Sequence, residues 1–252
     1  MGGGFTPPPG GIVPAGGMGG GSVGPVWSPT DALGFGWNVV TKRFGAVAIP
    51  IAIAVFVYFV PSYLVNFGAS FTIALLDQRG VVDHSLAPFA TLAASGLGVI
   101  VSMSVGSYMA GGICNIGLKA ARGQPTSVGD GFAGGRFFVP SLVAIILFSI
   151  AYIVGVMLCV VPGVIVGLGL CLYEPLIVDE GLSGVDALKK SWEMTKGHRL
   201  NLFIFGILCF FVEFAGILAC GIGLFLVSIP VIVVSACWVY LRIKGEAVPE
   251  PT

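Results

Sequence analysis

The chain has 252 residues, of which 56% are hydrophobic and 10% charged, and its twelve basic and twelve acidic side chains cancel to a formal net charge of zero. A soluble domain carries roughly a quarter charged residues, so the composition excludes a water-soluble globule and points to a bilayer. The balanced charge gives no support to nucleic-acid binding. Six cysteines without CxxC spacing and two solitary histidines, His84 and His198, give no reason to expect a metal or cofactor.

Taken in chain order, residues 1–26 come first, mostly Gly and Pro, uncharged and aperiodic. Such a segment buries too little apolar surface to offset its ordering entropy, which predicts a disordered cytoplasmic tail. It has no basic start and no continuous apolar stretch, so it does not read as a signal peptide. A six-helix domain is expected over 27–244, followed by a short C-terminal tail over 245–252.

Ser28, Pro29 and Asp31 then form a helix-start signature, a capping serine with an acid three residues on. The helix that follows places Leu33, Trp37, Val40 and Phe44 on one stripe. That pattern predicts a helix lying in the membrane interface, with Trp37 anchored at headgroup depth. Apolar stretches long enough to cross about 30 Å of hydrocarbon follow at 45–66 and 88–118, with an external loop expected between them at 67–87. Within the second stretch Gly98, Ser102 and Gly106 recur every four positions, as do Ser107 and Gly111. This small-residue face over 98–111 predicts close packing, against the chain itself or against another membrane protein or copy. Asn115 reads as an interhelical hydrogen-bonding group.

Ser127 and Asp130 repeat the cap before a much shorter, glycine-weakened segment. Two further stretches, 137–160 and 162–179, are divided by the turn chemistry of Val161, Pro162 and Gly163. Ser183 and Asp186 supply the third cap, for a helix with Val185, Leu188, Trp192 and Thr195 on one stripe and Trp192 as its interface anchor. The last pair of stretches, 200–219 and 221–242, is divided near Cys220 to Gly223.

Asp31-Ala-Leu-Gly-Phe-Gly-Trp37 and Asp186-Ala-Leu-Lys-Lys-Ser-Trp192 are two copies of one motif, each followed by a Thr-Lys pair. The fold expected is therefore an all-α membrane protein with six transmembrane helices, built as three repeats of a short amphipathic interfacial helix plus a helical hairpin. Eleven of the twelve Lys/Arg residues fall on one face, Arg79 alone on the other. The excess of positive charge on the inner side predicts a bacterial cytoplasmic membrane protein with both termini cytoplasmic. Cys159 and Cys220 occupy matching positions at the outer corners of two hairpins, as free thiols or as a pair.

Between 160 and 210 the text takes on a resemblance. PLIVDEG at 175–181, then Ala187, Leu188, Ser191, Trp192, Thr195, Gly197 and His198, resembles the repeated motif of a bacterial membrane family. That family includes the membrane domain fused to some glycerophosphoryl diester phosphodiesterases and related six-helix proteins. The resemblance implies the fold and the location. It implies no catalytic residues, because phosphodiesterase chemistry would belong to a separate soluble barrel, for which 252 residues leave no room.

Two intramembrane acids are the candidate polar site. Glu213 lies inside the fifth stretch, where an isolated carboxylate costs roughly 2.5–3.5 kcal/mol, so it is expected to face the bundle. Glu174 precedes Pro175, with Asp179 and Glu180 close behind; pairing with Lys189, Lys190 or Arg199 is the plainer reading, a cation site the sharper one. No nucleophile, base and orienting group occur together, so no enzyme activity is expected. The function expected is structural or accessory, organising membrane lipids or protein partners. The alternative is a small-solute or lipid transporter with a polar pocket near Glu213, Glu174 and Asn115.

Overall fold

A computed structural model describes residues 27–80, 85–218 and 223–249. The expectations for the 1–26 tail, His84 and the Cys220 corner lie outside the described residues. Among those described, every regular element is helical. Helix α1 (Pro29–Lys42) leads into α2 (Phe44–Gln78) and α3 (Ala87–Ala121). A single turn, α4 (Val128–Gly131), and a 3₁₀ turn (Ala133–Arg136) lead into α5 (Phe138–Leu158). The fourth apolar stretch is broken into α6 (Val160–Leu170) and α7 (Tyr173–Glu180). Helix α8 (Gly184–Met194) leads into α9 (Arg199–Leu218), and a π-helical turn (Leu224–Ser228) runs into α10 (Ile229–Lys244).

Among the described residues, six helical segments are long and apolar enough to cross a membrane. Proline placement fits several helix starts: Pro29, Pro88, Pro140, Pro162 and Pro175 all sit in first turns, where the missing amide has no partner to lose. Pro162 therefore begins α6 and does not form the expected turn. The hairpin bends ahead of its turn signal at Val161–Gly163, at Cys159, which is extended (φ −176°, ψ 156°). Gly163 is instead a packing residue, its Cα 3.1 Å from where a side chain on Gly155 would begin.

The larger correction concerns the loop expected over 67–87. Helix α2 continues to Gln78, because nothing in Phe67–Gln78 breaks it. Ser70 and Thr72 return their hydroxyls to the carbonyls of Asn66 and Gly68 at 3.0 and 2.7 Å, satisfying themselves without leaving the helix. Gly80, at φ +66°, is where the chain turns. Helices α2 and α3 each have 35 residues, about 52 Å at 1.5 Å per residue. The Phe59 ring meets Phe225 edge-on at 5.6 Å, which sets the distal half of α2 beyond the π-helical turn.

Helix α10 is the central post. Its Val231 and Val234 pack with Val40, Val47, Ile51 and Ile116; its Trp238 and Val239 with Trp27, Ala32, Leu202 and Phe205; its Tyr240 and Leu241 with Leu176, Ile177 and Ala187. The lead-in helices bury only part of the stripes read from their large residues: Val40 of α1, and Leu188 and Thr195 at α8, are buried. Helix α1 buries Ala32, Gly36, Val39 and Val40 while Trp37 stays 54% exposed. Helix α8 buries Gly184, Ala187, Leu188 and Ser191 and leaves Val185 exposed. Small residues win the contact face because they let backbones approach. A side chain at Gly36 would strike the Ser235 hydroxyl, and one at Gly184 would lie 2.8 Å from the Ala144 nitrogen.

The small-residue face of α3 is covered within the chain. Asn66 Nδ2 donates to Ser102 Oγ at 3.0 Å and its amide lies against Gly98, Tyr58 covers Gly106, and Phe137 covers Gly111. Ser107 Oγ donates to its own helix, at Met103 O.

Candidate functional site

The break between α6 and α7 leaves backbone groups that an unbroken helix would pair, and in a bilayer such groups need internal partners. Helix α8 supplies them. Leu172 N donates to Ser191 Oγ at 3.1 Å, while the hydroxyls of Ser191 and Thr195 both donate to Gly169 O, at 3.0 and 3.1 Å. Both hydroxyl residues are fully buried. The Trp192 ring covers Gly169 so closely that no side chain fits there. Arg199 lies over the outer face of the same ring, 4.2 Å from its centroid. Ser191, Trp192 and Thr195, three residues of the repeated motif, thus converge on one glycine.

A second polar assembly closes the basic end of the bundle. Asp179, at the end of α7 with a side chain only 9% exposed, accepts from Arg122 Nη1 at 2.7 Å, Tyr240 Oη at 2.9 Å and Lys244 Nζ at 2.5 Å. Glu180 pairs with Lys190 at 2.5 Å and Lys244 at 3.4 Å. Arg122 continues to Glu246, Nε and Nη2 reaching its two carboxylate oxygens at 2.6 and 2.8 Å. Three cations meet three carboxylates, and α3, α7, α8, α10 and the C-terminal segment are tied together. Of the partners expected for the acids, Lys190 is present, Lys189 stays exposed and Arg199 is on Trp192. Arg122, Tyr240, Lys244 and Glu246 were not foreseen. Their only signal was charge or a hydroxyl at the basic ends of spans, already read as topology markers.

Hydrogen bonding to Glu246 and then Asp179 raises the Arg122 guanidinium above its usual range, so it stays charged throughout. The hydrogen bond from Arg122 holds the Glu246 carboxyl below its ordinary value of 4.5, against a smaller opposing effect of burial. A lowered folded-state value means the contribution is full above 4.5 and is lost as pH falls through the folded value. The protection of the amides over 245–248, referred to the intrinsic exchange rate at each pH, is therefore expected to be full above 4.5 and to fall as Glu246 is protonated below it. Glu246→Gln should lack that protection at either pH. Asp130 follows the same sign: burial raises its pKa, but bonds from Lys119 and from the Ser127 amide lower it more.

The remaining predicted residues are scattered. Glu174 accepts from Ser141 Oγ at 2.9 Å, between α7 and α5. Asn115 is half-buried on α3 and donates weakly to Asp130 O at 3.4 Å. Glu213 is exposed on α9, not turned to the bundle, because the contact face of that stretch is taken by Leu202, Phe205 and Gly216. The structure does not bring these three together. The caps also differ. Ser183 Oγ accepts from Asp186 N at 3.3 Å, and Asp130 Oδ2 accepts from Ser127 N at 2.9 Å. Ser28 precedes α1 as expected, but its hydroxyl meets Thr30 Oγ1 at 2.8 Å, so the Ser28–Asp31 box does not form. Trp37 is on the outer surface, whereas Trp192 is a packing residue.

A model of a family described as a domain of unknown function, DUF7847, matches residues 140–251, the part holding Gly169, Ser191, Thr195, Asp179 and Glu246. Over 234 residues, 89% of this chain, it is 27% identical to the uncharacterised protein Rv2560 of Mycobacterium tuberculosis, of which the match covers 71%. The uncharacterised protein Mb2590 of Mycobacterium bovis is similar at the same identity and coverage. No solved structure matches the chain.

Proposed function

We propose that this multi-pass protein is a non-enzymatic structural or accessory component of the bacterial cytoplasmic membrane, organising lipids or protein partners. The observation that carries the reading is how its polar groups are used. Six charged side chains close on one another at the basic end, and two hydroxyls repair a broken helix. That is chemistry which holds helices together. The repeat of lead-in helix plus hairpin belongs to the same proposal, as does kinship with the membrane domain of glycerophosphoryl diester phosphodiesterases. The repeat is supported by the element order, in which α1 and α8 each lead into a pair of spans.

The positive charge at the basic end supports a cytoplasmic placing of both termini. Reporter fusions at Gly123 and Gly197 are expected to read cytoplasmic and one at Gly80 external; the reverse pattern refutes the orientation. The function itself is tested in vesicles. Purified, partner-free protein is expected to move no solute or lipid, and mild-detergent purification to bring down bound lipid or a membrane protein. Substrate movement by the pure chain overturns the accessory reading. The transporter alternative draws on Glu213, an intramembrane carboxylate left facing outward on α9. Movement that is lost in Glu213→Gln would establish it.

A further inference from the structure

Two cavities beside α1 have complementary character and meet. The first, of about 370 Å³, opens at the basic end between α1, α10 and the C-terminal segment. It is lined by Thr30, Asp31, Phe35 and Asn38 on one side and Trp238 and Arg242 on the other. The second, of about 560 Å³, runs deeper between α1, α9 and the π-helical turn, with Leu33, Trp37, Val212, Ala215, Val227 and Val231 in its walls. Gly34 and Asn38 line both. A side chain started at Gly34 would meet nothing within 4 Å, so this glycine leaves the neck between them open. Each volume lies within the range of about 300–1,000 Å³ typical of ligand sites.

The polar cavity holds unmatched groups of both signs. Asp31 and Arg242 form no ion pair with each other or with any other described residue. The Arg242 Nε is buried without a hydrogen-bond partner, which is costly unless a ligand supplies one. Its guanidinium lies 5.0 Å from the Trp238 ring centroid, and Trp238 is stacked on Phe35, so the charge is held in place by packing. This differs from the other assembly at the basic end, where every cation is matched.

We propose that the joined cavities bind one glycerophospholipid with an ethanolamine headgroup. Its phosphate sits on Arg242, its ammonium on Asp31 and Asn38, and one acyl chain lies in the groove past Gly34. The apolar groove selects a lipid over free phosphate, because phosphate would leave that volume unfilled. The carboxylate of Asp31 selects a zwitterion over a purely anionic headgroup, which it would repel. A trimethylated ammonium would lack the N–H donors that a carboxylate and an amide carbonyl accept. The proposal rests on the reading of the chain as a protein that organises lipids and names the lipid it holds.

Native mass spectrometry of the full chain, delipidated and titrated with phosphatidylethanolamine or phosphatidylglycerol, tests it. One phosphatidylethanolamine per chain is expected, retained about tenfold more strongly than phosphatidylglycerol, the factor for one hydrogen bond to a charged group. Asp31→Asn should erase that preference, Arg242→Gln should weaken both lipids, and Gly34→Leu should block retention without lowering the melting temperature. Equal retention of the two lipids, or full retention in Gly34→Leu, overturns the proposal. So does lipid binding that appears only after residues 1–26 are removed, since the tail would then be the occupant. None of these outcomes changes the vesicle-flux result, so the lipid assignment and the accessory reading fail separately.

Discussion

Asp179→Ala is expected to destabilise the folded protein by about 3 kcal/mol, the lower end of the range for breaking a buried ion pair. The lower end applies because the Arg122 and Lys244 side chains, 26% and 32% exposed, recover some hydration once their partner is gone. Removing Asp179 also leaves the Tyr240 hydroxyl, on one of the largest fully buried side chains described, with only its longer contact to Glu180 Oε1 at 3.5 Å. Thermal unfolding in detergent measures the loss. Asp179→Ala combined with Lys244→Met should recover part of it, since an uncompensated cation is the chief cost. Glu246→Gln should cost much less, because that carboxylate is 34% exposed and its pair with Arg122 is partly hydrated. Equal melting temperatures for Asp179→Ala and the unmodified chain would mean the assembly contributes nothing.

A side chain at Gly169 is expected to remove the folded state altogether. Even a methyl there would occupy the space of the Trp192 ring. Overpacking of a core costs about 1–3 kcal/mol, and displacing α8 also unpairs the Gly169 carbonyl and the Leu172 amide, at about 1–3 kcal/mol each. Together these approach the 5–15 kcal/mol by which a protein is typically stable. Gly169→Val should therefore yield aggregated material on gel filtration. Gly169→Ala with Trp192→Ala, which makes room, should recover folded protein. Ser191→Ala alone should fold with a lowered melting temperature, because Thr195 still reaches Gly169 O. A well-folded Gly169→Val chain would show that α8 does not hold the break.

The all-helical class, the six apolar segments and the lead-in helices were readable because each rests on local chemistry: run length, cap residues and turn residues. The end of α2 was not. Ser70, Thr72 and Gly68 look like loop text, but the two hydroxyls are satisfied by the preceding turn and nothing in the stretch interrupts the backbone ladder. The α6–α7 break was hidden for the opposite reason. Gly169 to Leu172 is apolar text inside an apolar run, and its meaning depends on Ser191 and Thr195 twenty residues later. For Asp179, the positive-inside bias marked Arg122 and Lys244 as interior-facing ends, yet which ends meet depends on how three hairpins pack. Glu213 was expected to turn inward on solvation grounds, but small and bulky contacts at Gly216, Leu202 and Phe205 set the rotation of α9 instead.

The length of the first hairpin reaches past this one molecule. Two apolar helices of 35 residues are about 20 Å longer than a hydrocarbon layer of about 30 Å. A mismatch is met by leaning, by bending or by stretching the surrounding bilayer, each costing fractions of a kcal/mol per Å. The other two hairpins, with spans of 20–21 residues, fit the same layer without adjustment. The chain is thus a gauge with two settings, and the long one is relieved wherever the membrane is thicker. Such a protein is expected to sort toward thick membrane regions and to alter the lipids beside α2 and α3, whatever else it holds.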